Sequence, residues 1–171
     1  MARSHSQTRR NTIIIAIAAA ASIAASLAGY YATEAEKYYH LSDAALTTAV
    51  HFEHQADLQA REDEELLIQA TIEYHKNETR IGDLLASQVS QEAKNNIAFD
   101  KQNNTLSLMP KYYDVMYSDY LNTTKTEQKY LERADLSNEY SRQFIIATSL
   151  LTATIVILSE LTRRKENRSL T

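Results

Sequence analysis

The sequence predicts an all-α protein in which two transmembrane helices are joined by an antiparallel helical hairpin or a small helical bundle. Two uncharged runs, residues 12–32 and 143–159, are the main evidence for this prediction. As a helix, the later run spans roughly 25 Å, close to the hydrocarbon thickness of a bilayer. Helix breakers are also scarce, since the 171 residues include one proline and two glycines. Such a composition is typical of an all-α fold.

The distribution of charge predicts the orientation in a membrane. Residues 33–142 hold 11 Lys or Arg against 20 Asp or Glu, whereas the short segments at both ends are basic. Basic residues beside a span are retained on the cytoplasmic side. We therefore expect a multi-pass protein of the cell membrane with both termini in the cytoplasm. The acidic middle argues against nucleic-acid binding, and the lack of cysteine excludes disulfides and thiolate metal sites.

Five segments follow from these patterns. The first and last are basic cytoplasmic tails, and the first lacks an apolar pattern, so disorder is expected there. Between the two transmembrane helices lies an acidic, helical, extracytoplasmic domain. The first tail covers residues 1–11 and the first span 12–32. The extracytoplasmic domain covers 33–142, the second span 143–162 and the last tail 163–171.

The first span carries a face of small residues. Four of its alanines recur every four residues: Ala16, Ala20, Ala24 and Ala28. Small faces let helix backbones approach closely in lipid, which predicts span packing through these alanines. The alternative is that alanine only meets the hydropathy requirement of a span.

A cleavable signal peptide is a rival interpretation of the same run. It has a basic start, an apolar stretch and a small-x-small sequence at residues 26–28. Two observations favour an uncleaved span. The run is longer than a usual signal core, and Tyr30 and Tyr31 resemble an interfacial aromatic belt.

The middle segment begins with a long amphipathic helix. From Thr33 to about His75 no residue breaks a helix, and apolar residues recur at spacings of three or four. The charged run at 61–65 interrupts this apolar face, as part of one long helix or as the start of a new one. The charged run at 61–65, REDEE, is interpreted as a solvated face. The first corner is predicted at 76–79, because Asn77 tolerates turn conformations.

The rest of the middle predicts a return towards the membrane. A further helix is expected over 80–98, a loop over 100–111 around the only proline, and a last helix from about Tyr112 or Thr124 into the second span. A chain that leaves and re-enters one membrane face makes an even number of passes. Two nearly balanced passes are favoured, and four shorter passes in a small bundle remain the alternative.

Tyrosines supply the candidate interaction residues. The chain has eleven tyrosines and no tryptophan, and four of them gather before the last helix: Tyr112, Tyr113, Tyr117 and Tyr120. Such rings pack a helical bundle or, where they are exposed, form a surface for a protein partner.

Hydroxyl residues mark the second span. Thr148, Thr152 and Ser159 fall near one helical face. Thr148 and Thr152 are the candidates for span packing, by interhelical hydrogen bonds. The same three hydroxyls would line a pore in an oligomer, or bond back to their own helix without any partner.

No catalytic or cofactor signature is present. His51 and His54, with Asp57 one turn later, share a helical face, and histidine with carboxylate suits Zn or Fe. The paired Glu-x-x-His motifs of di-iron bundles and the His-Glu-x-x-His motif are missing, which favours ordinary surface histidines. The sequence also lacks a glycine-rich phosphate loop and a G-x-S-x-G motif. We therefore expect no enzyme activity, no metal and no cofactor.

The order of segments, ending in Arg163-Arg164-Lys165, resembles that of uncharacterised two-span membrane proteins of prokaryotes. This resemblance covers the whole chain and rests on no specific motif. The chain also resembles the membrane half of a chemoreceptor, but only nine residues follow Thr162. We expect a non-enzymatic scaffold or accessory subunit whose partners are the lipid bilayer and other membrane subunits or further copies of itself. A sensor or ligand-binding domain acting through a separate membrane partner and a small oligomeric channel are the alternatives.

Overall fold

The computed structural model describes the backbone of residues 2–167 and the side chains of residues 8–164. This part of the chain is mostly helical, as predicted. It contains seven elements: α1 (Ala2–His75), α2 (Thr79–Ala86), α3 (Gln91–Lys94), β1 (Ile97–Asp100), β2 (Thr105–Leu108), α4 (Pro110–Met116) and α5 (Ser118–Asn167). By length and composition, α1 and α5 each contain a stretch able to cross a membrane.

The chain divides into two compact units. Unit 1 comprises Met1–Leu41 and Tyr130–Thr171, and unit 2 comprises Ser42–Lys129. Both long helices therefore contribute to both units, whereas α2 to α4 and the two strands belong to unit 2 alone.

Helix α1 begins earlier than the sequence predicts. The first eleven residues were expected to be disordered, but the helix starts at Ala2. Extending an existing helix fixes one residue per hydrogen bond, and no glycine or proline interrupts this tail. The polar residues therefore continue the helix formed by the apolar run that follows them.

The end of α1 confirms the predicted corner. Asn77 has φ 63°, in the left-handed region that asparagine tolerates. Its N–H donates to the carbonyl of Tyr74 over 3.1 Å, and the N–H of Glu78 donates to the carbonyl of Glu73 over 2.9 Å. This pair of bonds is a Schellman motif, which satisfies the last carbonyls of the helix.

The segment that follows α2 differs from the prediction. The helix expected over 80–98 ends at Ala86. An antiparallel hairpin, in which Ile97 pairs with Leu108, replaces the end of that expected helix and most of the loop expected over 100–111. Its turn places Asn104 at φ 54°. The hairpin forms because Ile97, Leu106 and Leu108 pack against the core of unit 2. Pro110 then begins α4, where a missing N–H has no cost.

The core of unit 1 is built from small residues. Along α1, buried alanines and half-buried tyrosines follow one another at spacings of three and four: Ala21, Ala24, Ala28, Tyr31, Ala35 and Tyr38. Along α5 the matching positions are Tyr130, Ala134, Ser137, Ser141 and Phe144. Contacts between the two segments run in opposite order, from the Tyr38–Tyr130 pair to the Tyr31–Phe144 pair.

A buried hydroxyl joins the same two segments. Ser141 Oγ donates to the carbonyl of Ala28 over 3.0 Å. Next to it, the ring of Tyr31 lies 5.3 Å from that of Tyr140. A close backbone approach at Ala28 is therefore combined with aromatic packing one turn away.

The core of unit 2 lies where α1 meets α3 and α4. Its fully buried members are Ala60, Leu67, Val89, Ala93 and Tyr112. Tyr112 and Asp63 are the largest side chains that are fully buried. The core of this unit is therefore partly polar.

Candidate functional site

The most organised side-chain cluster lies in unit 2, where α4 meets α1. Three tyrosines in or directly after α4 each donate a hydroxyl hydrogen bond to a carboxylate of α1. The pairs are Tyr112–Asp63, Tyr113–Glu64 and Tyr117–Asp57. Tyr112 and Tyr113 bond to the adjacent Asp63 and Glu64, and Tyr117 bonds to Asp57, which lies earlier in α1, so the pairs follow one another along the two segments. We call these six residues the tyrosine–carboxylate ladder.

Asp63 is the buried centre of this ladder. Its carboxylate accepts hydrogen bonds from Tyr112 Oη over 2.7 Å, from Ser90 N over 2.7 Å and from Ser90 Oγ over 2.6 Å. Ser90 Oγ in turn accepts from the N–H of Ala93 and so caps α3. Three donors compensate for the loss of water around a buried carboxylate. One acidic side chain thereby ties α1 to both α3 and α4.

The ladder holds its phenols in the neutral form. Burial, followed by the bond to Asp63, raises the pKa of Tyr112 far above its usual range. The bond to Glu64, together with burial, raises the pKa of Tyr113 to about 12. The bond to Asp57, together with burial, raises the pKa of Tyr117 to about 12. Each phenol donates to a negative neighbour, which disfavours a second negative charge on the phenol.

An open groove of about 350 Å³ lies beside the ladder. Its apolar lining residues include Phe52 from α1 and Val115 and Met116 from α4. Glu92 and Asp119 add carboxylates. Its full lining is Phe52, Gln55, Ala56, Gln59, Glu92, Val115, Met116 and Asp119. The groove therefore combines apolar surface with negative charge, and no lysine, arginine or histidine is among these lining residues.

The four predicted interaction tyrosines have different environments. Tyr112 is buried and packs the core, whereas Tyr113, Tyr117 and Tyr120 are half-buried. Two of the half-buried rings are already engaged with carboxylates of α1. The packing role therefore applies to Tyr112, and a partner-binding role stays a prediction for the other three.

The predicted alanine face of the first span is only partly buried. Ala24 and Ala28 are buried within unit 1, but Ala16 and Ala20 are exposed. Because an α-helix turns about 100° per residue, a four-residue repeat rotates about 40° at each step. The face therefore drifts out of the buried stripe, which follows a seven-residue repeat.

The hydroxyls of the second span bond within their own helix. Thr148 is half-buried and donates to the carbonyl of Phe144 over 2.8 Å. Ser159 is exposed and donates to the carbonyl of Val156 over 2.8 Å. Thr152 is exposed as well. Thr148 and Ser159 therefore bond back to their own helix, which needs no partner helix.

His51 and His54 are exposed on α1, and Asp57 is engaged with Tyr117. Among the side chains that the structure describes, no three His, Asp or Glu groups are arranged to hold a metal ion.

Sequence reasoning missed Asp63, because it interpreted the REDEE run as a solvated face, and it also missed Ser90. The sequence does contain a signal for Asp63, because this residue falls in a seven-residue series of otherwise small side chains. The series reads Ala35, Ser42, Ala49, Ala56, Asp63 and Ala70, and every member is buried. Ser90 follows no such series.

The comparisons with known proteins were negative. A scan against protein-family models, a search of curated proteins and a search of solved structures each found no match to this chain.

Proposed function

We propose that this chain is a non-enzymatic integral membrane protein that acts as a scaffold or accessory subunit. The observation that supports a membrane location is the uncovered apolar surface of unit 1. Only 11% of the most apolar stretch of α1 is buried, and none of that of α5. The exposed apolar residues of unit 1 include Ile13, Ile15, Ile23, Leu27, Ile145, Ile146, Leu150, Val156, Ile157 and Leu161. A surface of this size and character requires lipid or another protein to cover it.

In this proposal the chain crosses the membrane twice, and the two spans form an antiparallel hairpin. Contacts between α1 and α5 within unit 1 run in opposite order, as two antiparallel spans require. The acidic middle would then lie outside, and the basic residues near both ends would lie in the cytoplasm. The small residues and tyrosines at alternating spacings of three and four fit coiled-coil packing of the two segments.

Assembly through the segment between the two proposed spans is supported by apolar residues exposed on α1. Leu46, Val50, Ile68 and Ile72 are each 47% or more exposed. At 100° per residue they lie within roughly 80° of one another around the helix. Apolar residues gathered on one side of a helix mark a surface for a protein partner, either a further copy of this chain or another membrane subunit.

The membrane location is tested by fractionation and labelling. The absence of cysteine means that single cysteine variants give unambiguous labelling. We expect the protein to remain in membranes washed with alkaline carbonate. In sealed right-side-out vesicles, an impermeant maleimide should label Gln69→Cys but not Ser6→Cys. Recovery in the aqueous fraction would contradict the membrane location, and labelling of Ser6→Cys would contradict the orientation.

The assembly role is tested with a matched pair on α1. Ile68→Cys lies on the apolar side, and Gln69→Cys is exposed about 100° away around the helix. With a short bifunctional maleimide in intact membranes, Ile68→Cys should form a cross-linked product more readily than Gln69→Cys. Recovery of only monomer from both variants would contradict assembly through this surface.

The groove of unit 2 favours a second candidate, a ligand-binding domain that acts through a membrane partner. Pockets of about 300–1,000 Å³ with apolar walls and a few polar groups are typical of small-molecule sites. Here the carboxylates of Glu92 and Asp119, with the ring of Phe52, suit an organic cation.

Benzyltrimethylammonium should raise the unfolding temperature of the native chain more than that of Phe52→Ala. Leu58→Ala, which lies outside the groove, is the control, and no shift in the native chain would exclude this candidate.

A further inference from the structure

A narrow cleft lies in unit 1 between the beginning of α1 and the end of α5. Its walls are Ile13, Ile14 and Leu158, and Arg10 and Thr162 complete it. An adjoining hollow of about 150 Å³ shares Arg10, Leu158 and Thr162 and adds Leu161. One cation therefore lies beside an apolar cleft formed by both helices.

Among the side chains that the structure describes, Arg10 is the cation of this cleft that remains available to a ligand. On α5, Glu160 already pairs with Arg163 over 3.4 Å and with Arg164 over 3.1 Å. Arg10 makes no hydrogen bond or ion pair among the described side chains and is half-buried, whereas its neighbour Arg9 is exposed. A partly desolvated guanidinium without a counter-ion favours an anionic ligand.

We propose that the cleft binds one anionic phospholipid, with the lipid phosphate on the guanidinium of Arg10 and an acyl chain along Ile13, Ile14 and Leu158. This inference rests on the proposed membrane location. A guanidinium matches the geometry of phosphate oxygens and binds two of them at once. Basic pockets between spans on the cytoplasmic side are suited to anionic headgroups. A free phosphate would use Arg10 alone, but a phospholipid also covers the apolar walls.

The test compares Arg10→Gln with Arg9→Gln, which remove the same charge from adjacent positions. Full-length protein in mild detergent is titrated with phosphatidylglycerol, with phosphatidylcholine and with inorganic phosphate, and bound species are counted by native mass spectrometry. We expect a single phosphatidylglycerol on the native chain. Its affinity should fall about fivefold or more in Arg10→Gln, because one basic residue near a membrane surface contributes that much to anionic lipid binding.

The controls separate a built site from general attraction by the basic tail. Arg9→Gln should retain most of the affinity, and Arg10→Lys should restore part of it because the charge is kept. Equal losses in Arg9→Gln and Arg10→Gln would overturn the proposal, as would equal binding of phosphatidylcholine or of inorganic phosphate. The membrane location fails separately, in the carbonate wash, so a protein that stays in the membrane without selecting this lipid refutes the cleft alone.

Discussion

At the residue scale, Asp63 is the buried carboxylate that joins three parts of unit 2, since its partners Ser90 and Tyr112 belong to α3 and α4. It is fully buried and accepts three hydrogen bonds from two segments that are far from it in sequence. Removing one donor leaves a buried carboxylate less well satisfied, which costs more than the loss of an exposed hydrogen bond. The stability of unit 2 should therefore be sensitive to the partners of this one side chain.

Tyr112→Phe tests this dependence. The ring still fills the core, but the donor to Asp63 is lost, so we expect a loss of about 1–3 kcal/mol in the free energy of unfolding. Denaturant unfolding followed by circular dichroism measures it. Tyr120→Phe is the matched control, since the Tyr120 hydroxyl makes no hydrogen bond among the described residues. The control should change stability by less than about 0.5 kcal/mol. Similar values for the two variants would contradict a special role for the Asp63 site.

The ladder also predicts an alkaline limit of stability. Tyr113 and Tyr117 have pKa values of about 12 against an ordinary 10.0, so the folded state favours the neutral phenol. Their contribution is complete below pH 10 and is lost as pH rises towards 12. Tyrosinate absorbance should show a late-titrating fraction that becomes smaller in the Tyr113→Phe/Tyr117→Phe variant, in which the late titration of Tyr112 remains. Titration of all tyrosines together near pH 10 would contradict the ladder.

At the element scale, the return from α1 depends on a close approach at Gly82. A Cβ at this position would lie 2.6 Å from the ring of Tyr74, and the hydroxyl of Tyr74 donates to Asp83 over 2.8 Å. Burial, together with this bond, raises the pKa of Tyr74. The glycine therefore leaves room for the Tyr74 ring against the first turn of α2.

Gly82→Ala and Gly29→Ala make the same change in two different surroundings. In Gly82→Ala the added methyl displaces the Tyr74 ring, so we expect a loss of about 1–3 kcal/mol in stability. Gly29 lies inside α1 with no atom within 4 Å of an added Cβ, so Gly29→Ala should be neutral or stabilising. Melting temperatures of the two variants provide the measurement. Equal shifts would show that helix propensity, and not the Tyr74 contact, decides the outcome.

Elements that depend on local signals could be predicted from the sequence. The unbroken run to His75 and the corner at Asn77 follow from the absence of breakers and from one residue that tolerates positive φ. The hairpin was missed because its strands are four residues each: β1, IAFD, does not alternate, and the alternation of β2, TLSL, is too short to identify a strand. Its pairing is favoured by contacts with the core, which are tertiary. The partners of Asp63 lie 27 and 49 residues away, and no local pattern links them.

At the scale of the whole molecule, the proposed hairpin of two spans requires that α1 and α5 pair within one chain and not between chains. The same antiparallel contacts would arise if α1 of one copy met α5 of another. Small residues at the contact make either arrangement close-packed in lipid. The Ser141–Ala28 hydrogen bond marks the point where the two backbones approach, so it is the place to distinguish them.

Cysteines at Ala28 and Ser141 make that distinction. We expect the two positions to be within reach of a disulfide, because the Ser141 hydroxyl donates to the Ala28 carbonyl over 3.0 Å. Mild oxidation in membranes should convert the Ala28→Cys/Ser141→Cys variant to a monomeric, internally bridged form that no longer reacts with a maleimide polymer. Ser26→Cys/Ser141→Cys is the control, since Ser26 is exposed and lies about 160° around the helix from Ala28. A disulfide-linked dimer in place of the bridged monomer would assign the contact to two chains. The acidic middle would then join the spans of different subunits, and the hairpin topology would be wrong.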